Sequence, residues 1–295
     1  MMTEQTFARG LRAIDCMIDA KWRGEESSSR IPGIEFRDKD SDQYGHPAQH
    51  LFTASVEHVA EGDTPDSLVA VMDRHGVERA MLGFNPEKPG RVPECLERFP
   101  DRFWAKLPVD PAQGMDAVRR IERVVREQPL VKALAMTPMF VQKPPNDKVY
   151  YPIYAKAIEL GLPITINVGL PGPRVPGECQ NPIYLDDVLY FFPELVIVMA
   201  HGGEPWEDMC VKLMLKWPNL YYYTSAFSPK HYPKAIIDYA NTRGSDKVFY
   251  AGYHPALPID RLQREIQDVP LRDHVWPKFL RENAIKIFKL DEDRF

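Results

Sequence analysis

Short apolar runs rich in β-branched and aromatic residues alternate along the chain with longer stretches of helical periodicity. The runs predict strands at AIDCMID (13–19), VERAMLG (77–83), FWAKLPV (103–109), VKALAMT (131–137), PITINVG (163–169), LVIVMAH (195–201), NLYYYTS (219–225) and KVFYAGY (247–253). Helices are expected between them at 65–75, 115–128, 149–160, 184–192, 205–217, 230–243 and 259–267, with a last one at 276–288. Asp147 can cap the helix that Tyr150, Tyr154 and Ile158 stripe at spacings of four, and Gly161 closes it before Pro163 opens the next strand. Thr64 is a second cap, followed by Pro65 at the first helical position.

Eight strands alternating with helices predict an α/β fold, a (β/α)8 TIM barrel in a single domain over residues 1–295. An open α/β sheet is the runner-up, but no strand is followed by GxGxxG or by GxxxxGKS/T. Residues 22–62 are too long for an ordinary βα connection. In a barrel they fall at the catalytic face, as a lid or an oligomer contact.

Composition narrows the function classes. With 44% hydrophobic and 27% charged residues, the 295-residue chain can bury a sizeable core. A formal net charge of -5 argues against a general nucleic-acid or anionic-membrane binder. The four cysteines are far apart without a CxxC pair, as expected of unpaired thiols in a reduced cytosolic protein. The N-terminal stretch has no signal-peptide pattern and no apolar segment approaches a membrane span, so the expectation is a soluble, cytoplasmic protein.

In a barrel, chemistry sits where strands end. The rule selects Met17 and Asp19, Asn85, Asp110, Thr137 and Met139, Asn167, His201, Thr224 and Ser225, and Tyr253 with His254 beside it. The stretches PGRVPECLERFPDRFWA (89–105), YYPIYAKAIELGLPITINVG (150–169), FFPELVIVMAHGGEPWED (191–208), KWPNLYYYTSA (216–226) and FLRENAIKIFKL (279–290) carry a resemblance. Their order and spacing resemble the amidohydrolase superfamily, in the branch of aminocarboxymuconate semialdehyde decarboxylase and related aromatic-acid decarboxylases. The resemblance implies a barrel, often dimeric, with a metal held by an HxH pair on the first strand, a His after the fifth, a His after the sixth and an Asp after the eighth. Position by position, the pair becomes Met17 and Asp19, the third ligand Asn167 and the last Tyr253; His201 alone matches. Zinc or manganese needs three or more converging His or carboxylate ligands, so a metal-free site with no cofactor is expected. A modified zinc or manganese site with His254 in place of the missing Asp is the minority alternative.

His201 is then a general acid or base, or an inherited histidine satisfied by its surroundings. Gly202 and Gly203 after it offer amide N–H groups for a carboxylate or oxyanion. Asp15, Met17 and Asp19 alternate onto one strand face, and Asp19 is a candidate for proton transfer or for orienting His201. Tyr253 is a candidate acid or oxyanion donor and Asn167 a carbonyl or carboxylate binder. Glu204 suits an N-cap of the helix after Pro205; it, Trp206 and His254 are also candidate substrate contacts. Arg174 and Lys21 are candidate partners for an anionic substrate, and Met17, Met136 and Met139 would make the former metal cavity more apolar. The leading expectation is a metal-independent enzyme acting on a small carboxylated or cyclic substrate, of lyase, decarboxylase or hydrolase type. The alternatives are a catalytically silent barrel that binds a ligand or partner, and a metalloenzyme with rearranged ligands.

Overall fold

The computed structural model describes residues 6–18, 34–44, 48, 50–52 and 64–290. The eight expected strands all form: β1 (Ala13–Ile18), β2 (Val77–Gly83), β3 (Phe103–Pro108), β4 (Val131–Met136), β5 (Ile164–Asn167), β6 (Ile197–Ala200), β7 (Leu220–Tyr223) and β8 (Val248–Phe249). They pair in parallel, in sequence order from β1 to β8, as one curled sheet. Helices α1 (Pro65–Arg74), α2 (Val92–Arg98), α3 (Met115–Glu127), α4 (Tyr151–Glu159), α5 (Tyr184–Phe191), α6 (Glu207–Lys216), α7 (Lys234–Ala240), α8 (Ile259–Glu265) and α9 (Asn283–Phe288) surround it. The seven-residue α2 was not anticipated; VPECLER is too short to show a helical period. Among the described residues no helix is long and apolar enough to cross a membrane.

Local chemistry sets the helix starts. Thr64 and Ser67 form a reciprocal capping box ahead of Pro65. Asp147 caps a single 3-10 turn at Lys148–Tyr150, which then runs into α4, so the cap acts one turn earlier than expected.

Strand alternation divides the core into two layers. Leu134, Ile164, Ile197 and Tyr222 pack outward against the helices. Ile14, Cys16, Met81, Trp104, Ala133, Val198, Ala200, Tyr223, Phe249 and Ala251 fill the lumen, and Ala284, Ile287 and Phe288 of α9 close it from below. Trp104 and Phe249, near the starts of their strands, each lie 6.0 Å from the Phe288 ring.

β1 departs from simple alternation. Its register with β2 shifts between Asp15 and Ile18. Cys16 and Met17 therefore both pack on the inner layer, whereas Ile18 faces outward and Asp15 lies against Gly252. The expectation that Asp15 and Met17 share a face is corrected by this bulge. Asp15 is fully buried, and its Oδ1 accepts the N–H of Met17 (2.9 Å) and the N–H of Gly252 beyond β8 (2.7 Å). Together with a parallel bridge from Ile18 to His254, this carboxyl joins the first and last strands.

Burial raises the Asp15 carboxyl to about 7, against the two N–H donors and the charge of Lys106, which lower it. In an unfolded chain the group ionises near 3.8, so its folded-state advantage is complete below that value and disappears as pH rises through about 7. Asp15→Asn keeps an acceptor for both N–H groups and cannot ionise. In thermal melts its stability relative to the native chain should improve between pH 4 and 7 by roughly 1 kcal/mol per pH unit. A pH-independent difference would show that Asp15 does not gain a proton in the fold.

Candidate active site

After Ala200 the chain turns through three consecutive left-handed residues, His201 (φ 66°), Gly202 (φ 84°) and Gly203 (φ 79°). For a histidine this conformation costs on the order of 1–3 kcal/mol and persists only where the surroundings over-determine it. They do so here. The His201 N–H donates to Ser225 Oγ (3.1 Å), the Gly203 N–H to the His201 carbonyl (3.0 Å) and the Tyr222 hydroxyl to the Gly202 carbonyl (3.0 Å). A Cβ on Gly202 would run into the Phe227 ring, and one on Gly203 would meet Cys210 Sγ at 2.7 Å. The two glycines thus serve close packing, and the Gly203 N–H is used within the turn instead of being offered to an anion.

The turn aims the His201 ring edge-on at Tyr253, with centroids 5.6 Å apart and an interplanar angle of 84°. Tyr253 in turn lies 5.2 Å from the ring of Phe52. No hydrogen bond reaches the His201 ring from the described residues. Burial, and secondarily the charge of Lys106, pull its pKa down to about 3. At neutral pH it is therefore a neutral imidazole with one N–H and one lone pair.

Lys106 was missed by the sequence reading. It follows Trp104 by two positions on β3, so alternation turns it into the lumen, where its Nζ donates to the Tyr223 hydroxyl across the barrel at 3.3 Å. The signal was present in FWAKLPV as one cation among apolar residues, at the parity of the inward Trp104.

The other candidates separate. Asn167 ends β5 in register with Ala200, half-buried, and its amide makes no hydrogen bond among the described residues. Met17 packs on the inner layer, but Met136 belongs to the outer layer and Met139 packs with Phe36 and Cys179, so of the three methionines only Met17 faces the lumen. His254 is buried beside β1. Glu204 is exposed and does not cap α6; the N-cap is the half-buried Trp206, without a side-chain cap bond, and the Glu204 carbonyl accepts the Leu170 N–H at 2.7 Å. Arg174 pairs with Asp38 at 2.6 Å and Asp40 at 3.4 Å, over the Tyr44 ring, and so fastens the insertion to the β5 loop. Asp19 and Lys21 lie outside the described residues.

The described parts of the insertion all sit on the strand-end face. Phe36 packs with Met139 and Cys179, Ala48 and Leu51 pack on Gly172, and Phe52 on Tyr253. Among the described residues no three His, Cys, Asp or Glu side chains are grouped to hold a metal ion.

This barrel, with its histidine at the end of β6, matches the amidohydrolase family over residues 91–290, and the chain belongs to that family. No curated protein sequence matches it. Among solved structures it is similar to an uncharacterized TIM-barrel protein of Bordetella bronchiseptica (TM-score 0.70, 18% identity, covering 96% of this chain and 100% of that one). It is also similar to 5-carboxyvanillate decarboxylase of Novosphingobium aromaticivorans, solved with manganese and 3-methoxy-4-hydroxy-5-nitrobenzoic acid (TM-score 0.67, 17% identity, covering 97% and 100%). A third is 2,6-dihydroxybenzoate decarboxylase from Rhizobium (TM-score 0.64, 17% identity, covering 95% and 99%). At these identities the likeness establishes the shared fold.

Two outcomes follow from the geometry. In nitrogen NMR of labelled protein, the His201 imidazole should stay neutral well below the ordinary histidine range, and Lys106→Met should raise its pKa; an ordinary titration near 6.5 would contradict the buried setting. Gly202→Ala adds a methyl group against Phe227 at a left-handed φ, and should lower stability by about 2 kcal/mol or more in denaturant melts.

Proposed function

We propose that the protein is an enzyme of the lyase/decarboxylase or hydrolase type. It acts at the barrel mouth on a small carboxylated cyclic substrate, by acid–base chemistry without a metal ion. The observation that carries this reading is the neutral His201 ring, held on a strained turn against Tyr253 and near Lys106, beneath the insertion. Strain concentrated at one strand-end histidine is the kind of feature that function retains. The names of the structural neighbours, decarboxylases of hydroxylated aromatic acids and a probable 2-pyrone-4,6-dicarboxylic acid hydrolase, favour a cyclic carboxylate.

A neutral imidazole begins by accepting a proton. In hydrolysis it takes one from the water that adds to a substrate carbonyl. In decarboxylation it takes one from a substrate hydroxyl, the electrons of the breaking carbon–carbon bond stay with the ring as carbon dioxide leaves, and the proton is delivered to the ring carbon that carried the carboxylate. Burial is the larger cause of the low His201 basicity and Lys106 the smaller; a substrate anion beside Lys106 offsets the smaller one and favours the imidazolium as it forms. The Tyr253 hydroxyl, if turned toward the mouth, can donate to the oxyanion that forms in either route.

The donor set supports the metal-free part of the reading. Of the family's ligand positions that are described, Met17, Asn167 and Tyr253 are poor ligands for a divalent ion and only His201 is a good one. The Lys106 ammonium adds positive charge to the same lumen.

The test is turnover of hydroxybenzoates and pyrone carboxylates by chelator-treated protein, with metal content measured in the same samples. Activity should persist without zinc or manganese, and His201→Ala should lose at least about a hundredfold in kcat with an unchanged melting temperature. Full activity in that variant would eliminate the acid–base role, and activity that appears only with stoichiometric metal would eliminate the metal-free one. Isotope from labelled water in the acid product, or released carbon dioxide, separates hydrolysis from decarboxylation.

A further inference from the structure

We propose that Lys106 and Tyr223 form a carboxylate-binding subsite on the floor of the barrel mouth. It would receive one carboxylate of a planar cyclic acid and hold it beside His201. The proposal deepens the enzyme reading and rests on it only in taking the bound acid to be a substrate.

Four observations converge. First, on β3 the side chains of Phe103, Ala105 and Leu107 belong to the outer layer and Trp104 to the inner one, so Lys106 has no way to face the helices. Second, Lys106 has no carboxylate partner within 4.0 Å among the described residues, whereas Lys156, Lys216 and Lys278 are each paired. A cation drawn into a lumen with no carboxylate in contact is costly, and an anion supplied from outside relieves that cost. Third, the Tyr223 oxygen accepts from Lys106 and its own O–H has no acceptor among the described residues. An ammonium and a phenol set side by side can donate to the two oxygens of one carboxylate. Fourth, the lumen carries Ala133 in register with Lys106, together with Ala200 and Ala251. All three are fully buried, so they mark where the packing is made of the smallest side chains, at positions that bulky branched residues ordinarily fill.

Lys106 is only half-buried, so the mouth admits solvent to it. Its charge is felt at both His201 and Asp15. A carboxylate seated there lies within the electrostatic reach of the imidazole, which is what a reaction beside the carboxylate requires.

Binding of benzoate, with benzamide as its neutral isostere, tests this in the full chain by calorimetry and needs no turnover. The native protein should prefer benzoate by about ten- to a hundredfold, the value of one charge-assisted hydrogen bond. Lys106→Met should abolish the preference, Lys106→Arg should retain most of it, and Tyr223→Phe should reduce it. Each variant is checked for an unchanged melting temperature, and Lys106→Gln replaces Lys106→Met if the latter fails to fold. Equal binding of benzoate and benzamide by the native protein, or undiminished preference in Lys106→Met, overturns the subsite. The proposed activity fails separately, if His201→Ala turns substrate over normally while the benzoate preference stands.

Discussion

The molecule depends on how its first strand meets its last. β8 is only two residues long and makes no continuous ladder with β1, so the seam is held by the Asp15 carboxyl and one backbone bridge. Asp15 Oδ1 takes one N–H from its own strand and one from Gly252, and its other oxygen has no partner among the described residues. A side chain in this position has to be small and acceptor-bearing, because a Cβ on Gly252 would already collide with it. Burying a carboxyl so completely is tolerable because it holds a proton up to about pH 7 and one of its oxygens takes two backbone donors. The bulge that brings Asp15 to the seam is the same one that turns Met17 inward, and the Gly252 it anchors leads directly into Tyr253 and His254.

From this seam the site follows by contact. Tyr253 meets His201 edge-on, and His201 is kept in its left-handed conformation by Ser225 from the neighbouring strand end. Above it lie described residues of the insertion: Asp38 and Asp40 pair with Arg174, and Phe52 packs on Tyr253. Exposed ion pairs of this type contribute little stability singly. Their consequence here is geometric, since they hold the described part of the insertion over the strand ends.

The charge pattern of the lumen sets this chain apart from the ligand pattern that its family resemblance implies. Where a divalent ion would require converging imidazoles and carboxylates, the described positions supply a thioether, an amide, a phenol and one imidazole. Among the described residues at the mouth, Lys106 supplies a covalently attached positive charge, hydrogen-bonded to Tyr223. A fixed ammonium and a neutral imidazole are compatible neighbours because burial keeps the latter unprotonated.

Much of the fold was legible in the chain itself. Eight apolar runs with β-branched and aromatic residues predicted eight strands within a few residues of their observed limits, and caps such as Thr64 marked helix starts, because alternation and capping are local. The family-like stretches located His201 at the end of β6. Local signals could not say which side of the sheet Asp15 would occupy, since a one-residue bulge reverses parity without altering composition. Nor could they decide that Arg174 would be occupied by Asp38, that Met136 would face outward, or that the amide of Gly203 would be spent inside a turn. Lys106 is the instructive intermediate case: its inward parity was written in FWAKLPV, but its meaning depended on Tyr223, 117 residues away, arriving at the opposite wall. By itself the sequence determined the strands, their order and the histidine at the sixth strand end. Only the assembled barrel decided which side chains share the lumen and what charge they meet there, because burial and contact are properties of the packed layers.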